Sequence, residues 1–94
     1  MKIALSPAEI AAFRNFLNCF EDAEQLSERE FVVDLYDAQP PISMDLTLQK
    51  DGVEIEGAAK LEFDDELDGW YAGERIENAE SVARALREAG ALGL

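Results

Sequence analysis

The densest group of side chains able to do chemistry is the carboxylate run from Asp64 to Asp68. Asp64, Glu66 and Asp68 match the first, third and fifth positions of an EF-hand loop, where carboxylates at this spacing surround a calcium ion. The twelfth position of that loop requires a bidentate glutamate, but Arg75 stands there. The segment before the run is predicted to be a strand, whereas an EF-hand needs a helix. We therefore expect no metal site and no cofactor.

The chain contains no histidine and a single cysteine, Cys19. Catalytic triads and imidazole acid–base chemistry are therefore excluded, and no internal disulfide can form. Cys19 falls in a predicted helix, where a small buried thiol is the usual outcome. Carboxylates remain as candidate acids and bases, but no pair of them stands out and so short a chain has little room for a cleft. We expect no catalytic residues and no enzyme activity.

Two predicted helices flank the middle of the chain. Ser6-Pro7-Ala8-Glu9 is a capping box with proline at the first helical position, which predicts a helix from Pro7. Asn78 predicts the start of a second helix, which Gly90 or Gly93 would end. The apolar stripe of the first helix, expected to face the core, consists of Ile10, Phe13, Phe16, Leu17 and Phe20.

Alternating apolar residues predict strands between the helices. One strand is predicted over residues 31–36, and two more over 42–49 and 53–63. The last two are separated by Asp51-Gly52, which supplies the positive φ angles of a tight hairpin turn. Residues 21–30 are expected to form the connection between the first helix and the first strand. The capping-box pattern of Ser27 and Glu30 allows a short helix there as an alternative. Residues 69–76 fit either a strand or a loop.

These elements predict one α+β domain spanning residues 1–94. It would contain an N-terminal helix, an antiparallel sheet of three or four strands and a C-terminal helix, with both helices packed on one sheet face. No apolar run of signal-peptide length precedes Pro7, and no stretch approaches the roughly 18 apolar residues that cross a bilayer. We expect a cytoplasmic protein.

The net charge of −13 is concentrated in the middle of the chain. Residues 21–76 contain seventeen acidic and four basic residues, which accounts for the whole net charge. The acidic residues alternate with the apolar residues of predicted strands, unlike a disordered acidic tail. An acidic folded face would repel nucleic acid and anionic membranes and attract a basic protein.

The hairpin pattern predicts where this face lies. If Met44, Leu46, Leu48, Ile55, Leu61 and Phe63 are buried, the carboxylates between them point to the other side of the sheet. Outward residues repeat about every 6.6 Å along a strand, roughly twice the 3.4 Å charge spacing of one DNA strand. Trp70 and Tyr71 follow the acidic run, as in a binding hot spot, although a lone tryptophan is expected to be mostly buried. The predicted partner-binding residues are Asp45, Glu54, Glu56, Glu62, Asp64, Asp65, Glu66, Asp68, Trp70 and Tyr71.

In size, acidity and lack of catalytic side chains, the chain resembles anti-CRISPR proteins, DNA mimics and nuclease immunity proteins of phages and bacteria. The resemblance implies an inhibitor that blocks a basic nucleic-acid-binding protein or nuclease. An alternative is a structural or assembly subunit that forms homo- or hetero-oligomers through apolar contacts. A sheet face that is exposed to solvent and has no binding role would show a similar alternation of acidic and apolar residues. The oligomeric state is left open.

Overall fold

A computed structural model describes residues 1–93. This part of the chain forms two α-helices and one open antiparallel sheet of six strands. The α+β class is confirmed, and the prediction of three or four strands is an undercount. In chain order the elements are β1 (Lys2–Ala4), α1 (Pro7–Cys19), β2 (Ala23–Gln25), β3 (Glu30–Leu35), β4 (Ile42–Gln49), β5 (Gly52–Asp64), β6 (Gly69–Arg75) and α2 (Ala79–Glu88).

The long strand β5 organises the sheet. β4 runs along one side of β5, and β3 and β2 follow β4 outward. The other side of β5 is shared: β1 pairs with residues 52–54, and β6 pairs with residues 59–64. Pairing between β4 and β5 ends at Ile42 and Lys60. The last residues of β5 therefore extend past β4, and the β5–β6 hairpin projects beyond the main sheet.

The two strands that were not predicted are the shortest ones. β1 and β2 have three residues each, too few for an alternating pattern to be recognised. β2 lies within residues 21–30, which were expected to form only a connection. There the Ser27 hydroxyl accepts the N–H groups of Arg29 at 3.4 Å and Glu30 at 3.2 Å. The capping-box pattern thus closes a turn into β3 and starts no helix. Of the undecided residues 69–76, Gly69–Arg75 form strand β6.

Both helices begin at the predicted caps. The Ser6 hydroxyl accepts the N–H of Glu9 at 3.2 Å, and Glu9 Oε1 accepts the N–H of Ser6 at 3.0 Å. The backbone N–H of Ser6, which donates to the Glu9 carboxylate, and then the Ser6 hydroxyl hold the pKa of Glu9 below its usual value. Asn78 Oδ1 accepts the N–H of Glu80 at 2.9 Å and caps α2. After α2, Gly90 adopts a φ of 75°, so the first of the two candidate glycines ends the helix.

One buried cluster contains apolar residues from both helices and from one set of alternating strand residues. Phe13, Val82 and Leu86 are its fully buried helix members. The predicted burial of Met44, Leu46, Leu48 and Ile55 is confirmed. Because successive strand residues point to opposite sides, the intervening residues form an opposite, outward face, on which Asp45 and Thr47 of β4 are exposed.

Gly57 interrupts the alternation of β5. The register shifts from Asp45 opposite Glu56 to Ser43 opposite Ala59, so β5 carries one extra residue there. Gly57 has a φ of 62°, the left-handed conformation that glycine adopts in a bulge. One extra residue exchanges the two sides of a strand beyond it. The predicted burial of Leu61 and Phe63 is therefore wrong: Leu61 is only half-buried and Phe63 is 48% exposed.

Replacing Gly57 by alanine tests this bulge. A methyl group at this position would meet only Asp45 Oδ2 at 3.6 Å, so steric overlap is not the problem. The left-handed backbone itself costs an L-residue about 1–2 kcal/mol. We expect Gly57→Ala to lower the free energy of urea unfolding by that amount. Gly69→Ala is the matched control and should change little, because Gly69 has no positive φ and an added methyl group would meet only the Leu67 carbonyl oxygen, at 3.8 Å. Equal stability of the two variants would contradict the assignment.

Candidate functional site

The outward face of the sheet is built from rows of residues that lie opposite each other across the strands. Paired residues of antiparallel strands point to the same side. One row runs from Glu24 through Val32 and Asp45 to Glu56. Its three carboxylates take part in none of the ion pairs that residues 1–93 form. Asp45 and Glu56 are direct neighbours, and like charges in such a pair repel each other.

A second row joins Glu30, Thr47, Glu54 and Lys2. Lys2 does not neutralise the acids of this row, because its Nζ binds Asp51 Oδ1 at 2.7 Å. This contact lowers the pKa of the Asp51 carboxyl. The amino group of Met1 lies 3.2 Å from Glu54 Oε1.

A third row runs from Asp34 through Ser43 and Ala59 to Arg75. Only two basic side chains, Lys2 and Arg75, belong to the three rows. The acidic side chains of the three rows are Glu24, Glu30, Asp34, Asp45, Glu54 and Glu56. The outward face is therefore strongly acidic.

Three aromatic rings extend this face beyond the end of the carboxylate rows. Phe63 and Trp70 are paired across β5 and β6, with ring centroids 5.4 Å apart. Tyr36, which follows β3, lies 5.5 Å from Trp70. We call Tyr36, Phe63 and Trp70 the aromatic cluster. Its rings are 38%, 48% and 46% exposed, so the expected burial of Trp70 is wrong. Trp70 lies on the projecting hairpin, outside the buried cluster.

The bulge places Glu62 and Asp64 on the side opposite Asp45, Glu54 and Glu56. The prediction that these five carboxylates share one face is therefore wrong. Tyr71 is opposite Glu62 in the register, and its hydroxyl donates to Glu62 Oε2 at 2.6 Å. Because this bond favours the protonated phenol beside a carboxylate, the pKa of Tyr71 is raised above 10.0.

The carboxylates from 64 to 68 form the turn of the hairpin. Asp64 Oδ1 accepts the N–H groups of Glu66 at 2.8 Å and Leu67 at 3.4 Å. Asp68 adopts a φ of 49°, a conformation that aspartate tolerates. Within residues 1–93 no group of three metal-ligating side chains is placed to hold an ion. Asp65, Glu66 and Asp68 thus lie at the tip of the hairpin, apart from the outward rows.

Two further features lie away from the outward rows. Cys19 is exposed at the end of α1, so the expectation of a buried thiol is wrong. A shallow groove of about 470 Å³ lies between β1 and α2, with Lys2, Arg84 and Arg87 around a floor that includes Ile3 and Ala83. None of the ten predicted partner-binding residues lines this groove.

Sequence reasoning missed five members of the outward face, namely Glu24, Glu30, Asp34, Tyr36 and Phe63. The sequence pattern places Phe63 in the core, two of the others in a strand and two in a connecting segment. The available signal was Gly57, because an isolated glycine inside a strand pattern indicates a bulge. Counting outward positions from a bulge at Gly57 places Phe63 with the exposed residues.

Comparison of the chain with protein-family models, with curated proteins and with solved structures finds no match in any of the three. Neither helix of the described chain is long and apolar enough to span a bilayer.

The Asp45–Glu56 pair allows a test of the outward row. Asp45→Asn removes the repulsion across the strands, so we expect the free energy of unfolding to rise by about 0.2–1 kcal/mol at low salt. The gain should shrink at high salt as charges are screened. Asp65→Asn, the same change in the hairpin turn, controls for the general effect of lowering the net charge. A gain no larger than that of the control would contradict the pairing.

The Tyr71–Glu62 hydrogen bond can be checked by titration. In a Tyr36→Phe background Tyr71 is the remaining tyrosine. Glu62→Gln removes the neighbouring negative charge, so the pKa of Tyr71 should fall toward its ordinary value of 10.0. Tyrosinate absorbance against pH measures the change. Glu66→Gln in the same background should leave the pKa where it was. An unchanged pKa in Glu62→Gln would place Glu62 on the other side of the hairpin.

Proposed function

We propose that the chain is a non-catalytic inhibitor that docks the outward face of its sheet on the basic surface of a nucleic-acid-binding protein or nuclease. The observation that carries the proposal is the combination of six carboxylates, five of which form no ion pair within residues 1–93, with exposed aromatic rings on the same face. Carboxylates provide long-range attraction, and exposed aromatic rings provide the apolar contact area that binding hot spots use.

The geometry of the rows suits a surface that binds nucleic acid. Carboxylates along one strand are about 6.6 Å apart, and neighbouring strands are about 4.8 Å apart. A groove that accepts phosphates about every 3.4 Å along a DNA strand can meet a carboxylate at about every second phosphate position. The strand register fixes the backbone positions of Asp45, Glu54 and Glu56 relative to one another.

The proposal includes three expectations about the chain as a whole. The proposal assumes that both helices cover the inward face, and the buried cluster that contains residues of both supports this. It also takes residues 1–94 as one domain that acts in the cytoplasm. The hairpin tip at Asp65, Glu66 and Asp68, with Glu62, Asp64 and Tyr71 beside it, is assigned to the margin of the contact.

The alternative is an assembly subunit that associates through apolar contacts. The aromatic cluster and the free side of β6, which pairs only with β5 among the described strands, favour this function. Two copies with a charge of −13 each repel one another, and salt screens that repulsion. Self-association should therefore strengthen with salt, whereas binding to a basic partner should weaken.

Capture of partners at two salt concentrations tests the proposal. The tagged protein is incubated with lysate at about 0.1 M and about 1 M salt, where the Debye length is about 10 Å and about 3 Å. We expect a basic nucleic-acid-binding protein to be captured at low salt and released at high salt. Retention of the same partner at high salt would favour the apolar alternative.

Two variants with the same charge change locate the contact. Asp45→Asn, Glu54→Gln and Glu56→Gln together should weaken the isolated complex by at least about tenfold. Asp65→Asn, Glu66→Gln and Asp68→Asn alter the hairpin tip and should have a smaller effect. Unfolding in urea checks that both variants remain folded. A larger loss in the second variant would move the contact to the tip.

A further inference from the structure

We infer that the aromatic cluster and Asp34 form a seat for an arginine side chain of the basic partner. The inference rests on the proposed function and names the chemical group that the face recognises. Its geometric basis is an indole in contact with two further rings, each of the three residues more than one third exposed, and a carboxylate of the same face beside Tyr36.

The backbone fixes the rings from two directions. Phe63 and Trp70 are directly paired in the hairpin, whereas Tyr36 approaches from the end of β3. The plane of Trp70 is tilted by 54° to Tyr36 and by 70° to Phe63, so neither ring lies flat on the indole. With 46% of Trp70 exposed, the indole remains accessible to a further group.

Asp34 brings negative charge to the cluster. Its Oδ1 accepts a hydrogen bond from the Ser43 hydroxyl at 2.5 Å, and the Tyr36 hydroxyl lies 3.5 Å from its Oδ2. A carboxylate has about four acceptor sites, so Asp34 can accept further donors. Burial of the phenol raises the pKa of Tyr36, and the charges of Asp34 and Asp22 raise it further. The rings are therefore in a negative electrostatic environment.

A cation suits this combination better than an apolar group does. Positive charge is attracted both by the face of an indole and by a carboxylate, here the one 3.5 Å from the Tyr36 hydroxyl. Arginine suits it better than lysine, because the planar guanidinium stacks on aromatic rings while its N–H groups bind a carboxylate. Arg75 belongs to the same row as Asp34 but lies across Ser43 and Ala59 from it. Asp34 forms no ion pair with any group within residues 1–93.

The test compares tetra-arginine and tetra-lysine peptides, which carry the same charge. Trp70 is the only tryptophan, so its fluorescence reports on the cluster directly. We expect tetra-arginine to bind at least about fivefold more tightly than tetra-lysine and to change the fluorescence of Trp70. Anisotropy of labelled peptides measures both affinities, including those of variants that lack tryptophan.

Trp70→Leu and Asp34→Asn should each lower the affinity for tetra-arginine until it is about equal to that for tetra-lysine, whose own binding changes less. Trp70 lies outside the buried cluster, so Trp70→Leu should fold; Asp34→Asn is a second variant of nearly unchanged shape. Phe16→Leu, which alters an aromatic residue of α1, is the control and should keep the preference.

Several results would overturn the inference. Equal binding of the two peptides, or a preference that persists in Trp70→Leu, would remove the arginine seat. If that equal binding still requires Asp45, Glu54 and Glu56, the proposed function survives without the seat. If neither peptide binds, both the arginine seat and the proposed function are contradicted. A change in Trp70 fluorescence with protein concentration alone would instead identify a second copy of the chain as the occupant.

Discussion

The left-handed backbone at Gly57 is the constraint on which the candidate site depends. Before it, β5 directs Val53 and Ile55 into the core; beyond it, the apolar residues Leu61 and Phe63 face outward. A strand of this length with uninterrupted alternation would direct its terminal apolar residues inward. Here the interruption places them next to the carboxylate rows. One backbone torsion thus combines charge and aromatic surface on a single face.

The carboxylate rows of the outward face cost the chain some stability. Asp45 and Glu56 stand opposite each other with no ion pair among the described residues, and Glu24 continues the same row. Repulsion between such charges is modest in water because the solvent screens them. Contact with a basic surface would convert this repulsion into attraction. The same carboxylates would then attract a basic partner over a distance and contact it once it is bound.

Sequence patterns were most informative where local chemistry decides the structure. Helix caps depend on a few adjacent residues, so the starts of both helices at Ser6 and Asn78 were predictable. The acidic positions Asp45, Glu54 and Glu56 followed from strand alternation before the bulge. By contrast, β1 pairs with β5 through contacts distant in sequence, and a three-residue strand has no pattern of its own. The exposure of Trp70 depends on the projection of the hairpin, which alternation alone does not specify.

The position of β1 has a consequence for the order in which the chain folds. β3, β4, β5 and β6 are joined to their neighbours by short connections, so their pairing closes small loops. The backbone of Met1 bonds Ile55, 54 positions away, and closing so large a loop costs more chain entropy. We expect the meander from β3 to β6 to form before β1 joins it. The outward face and its aromatic cluster would then be assembled in a chain whose first strand is still free.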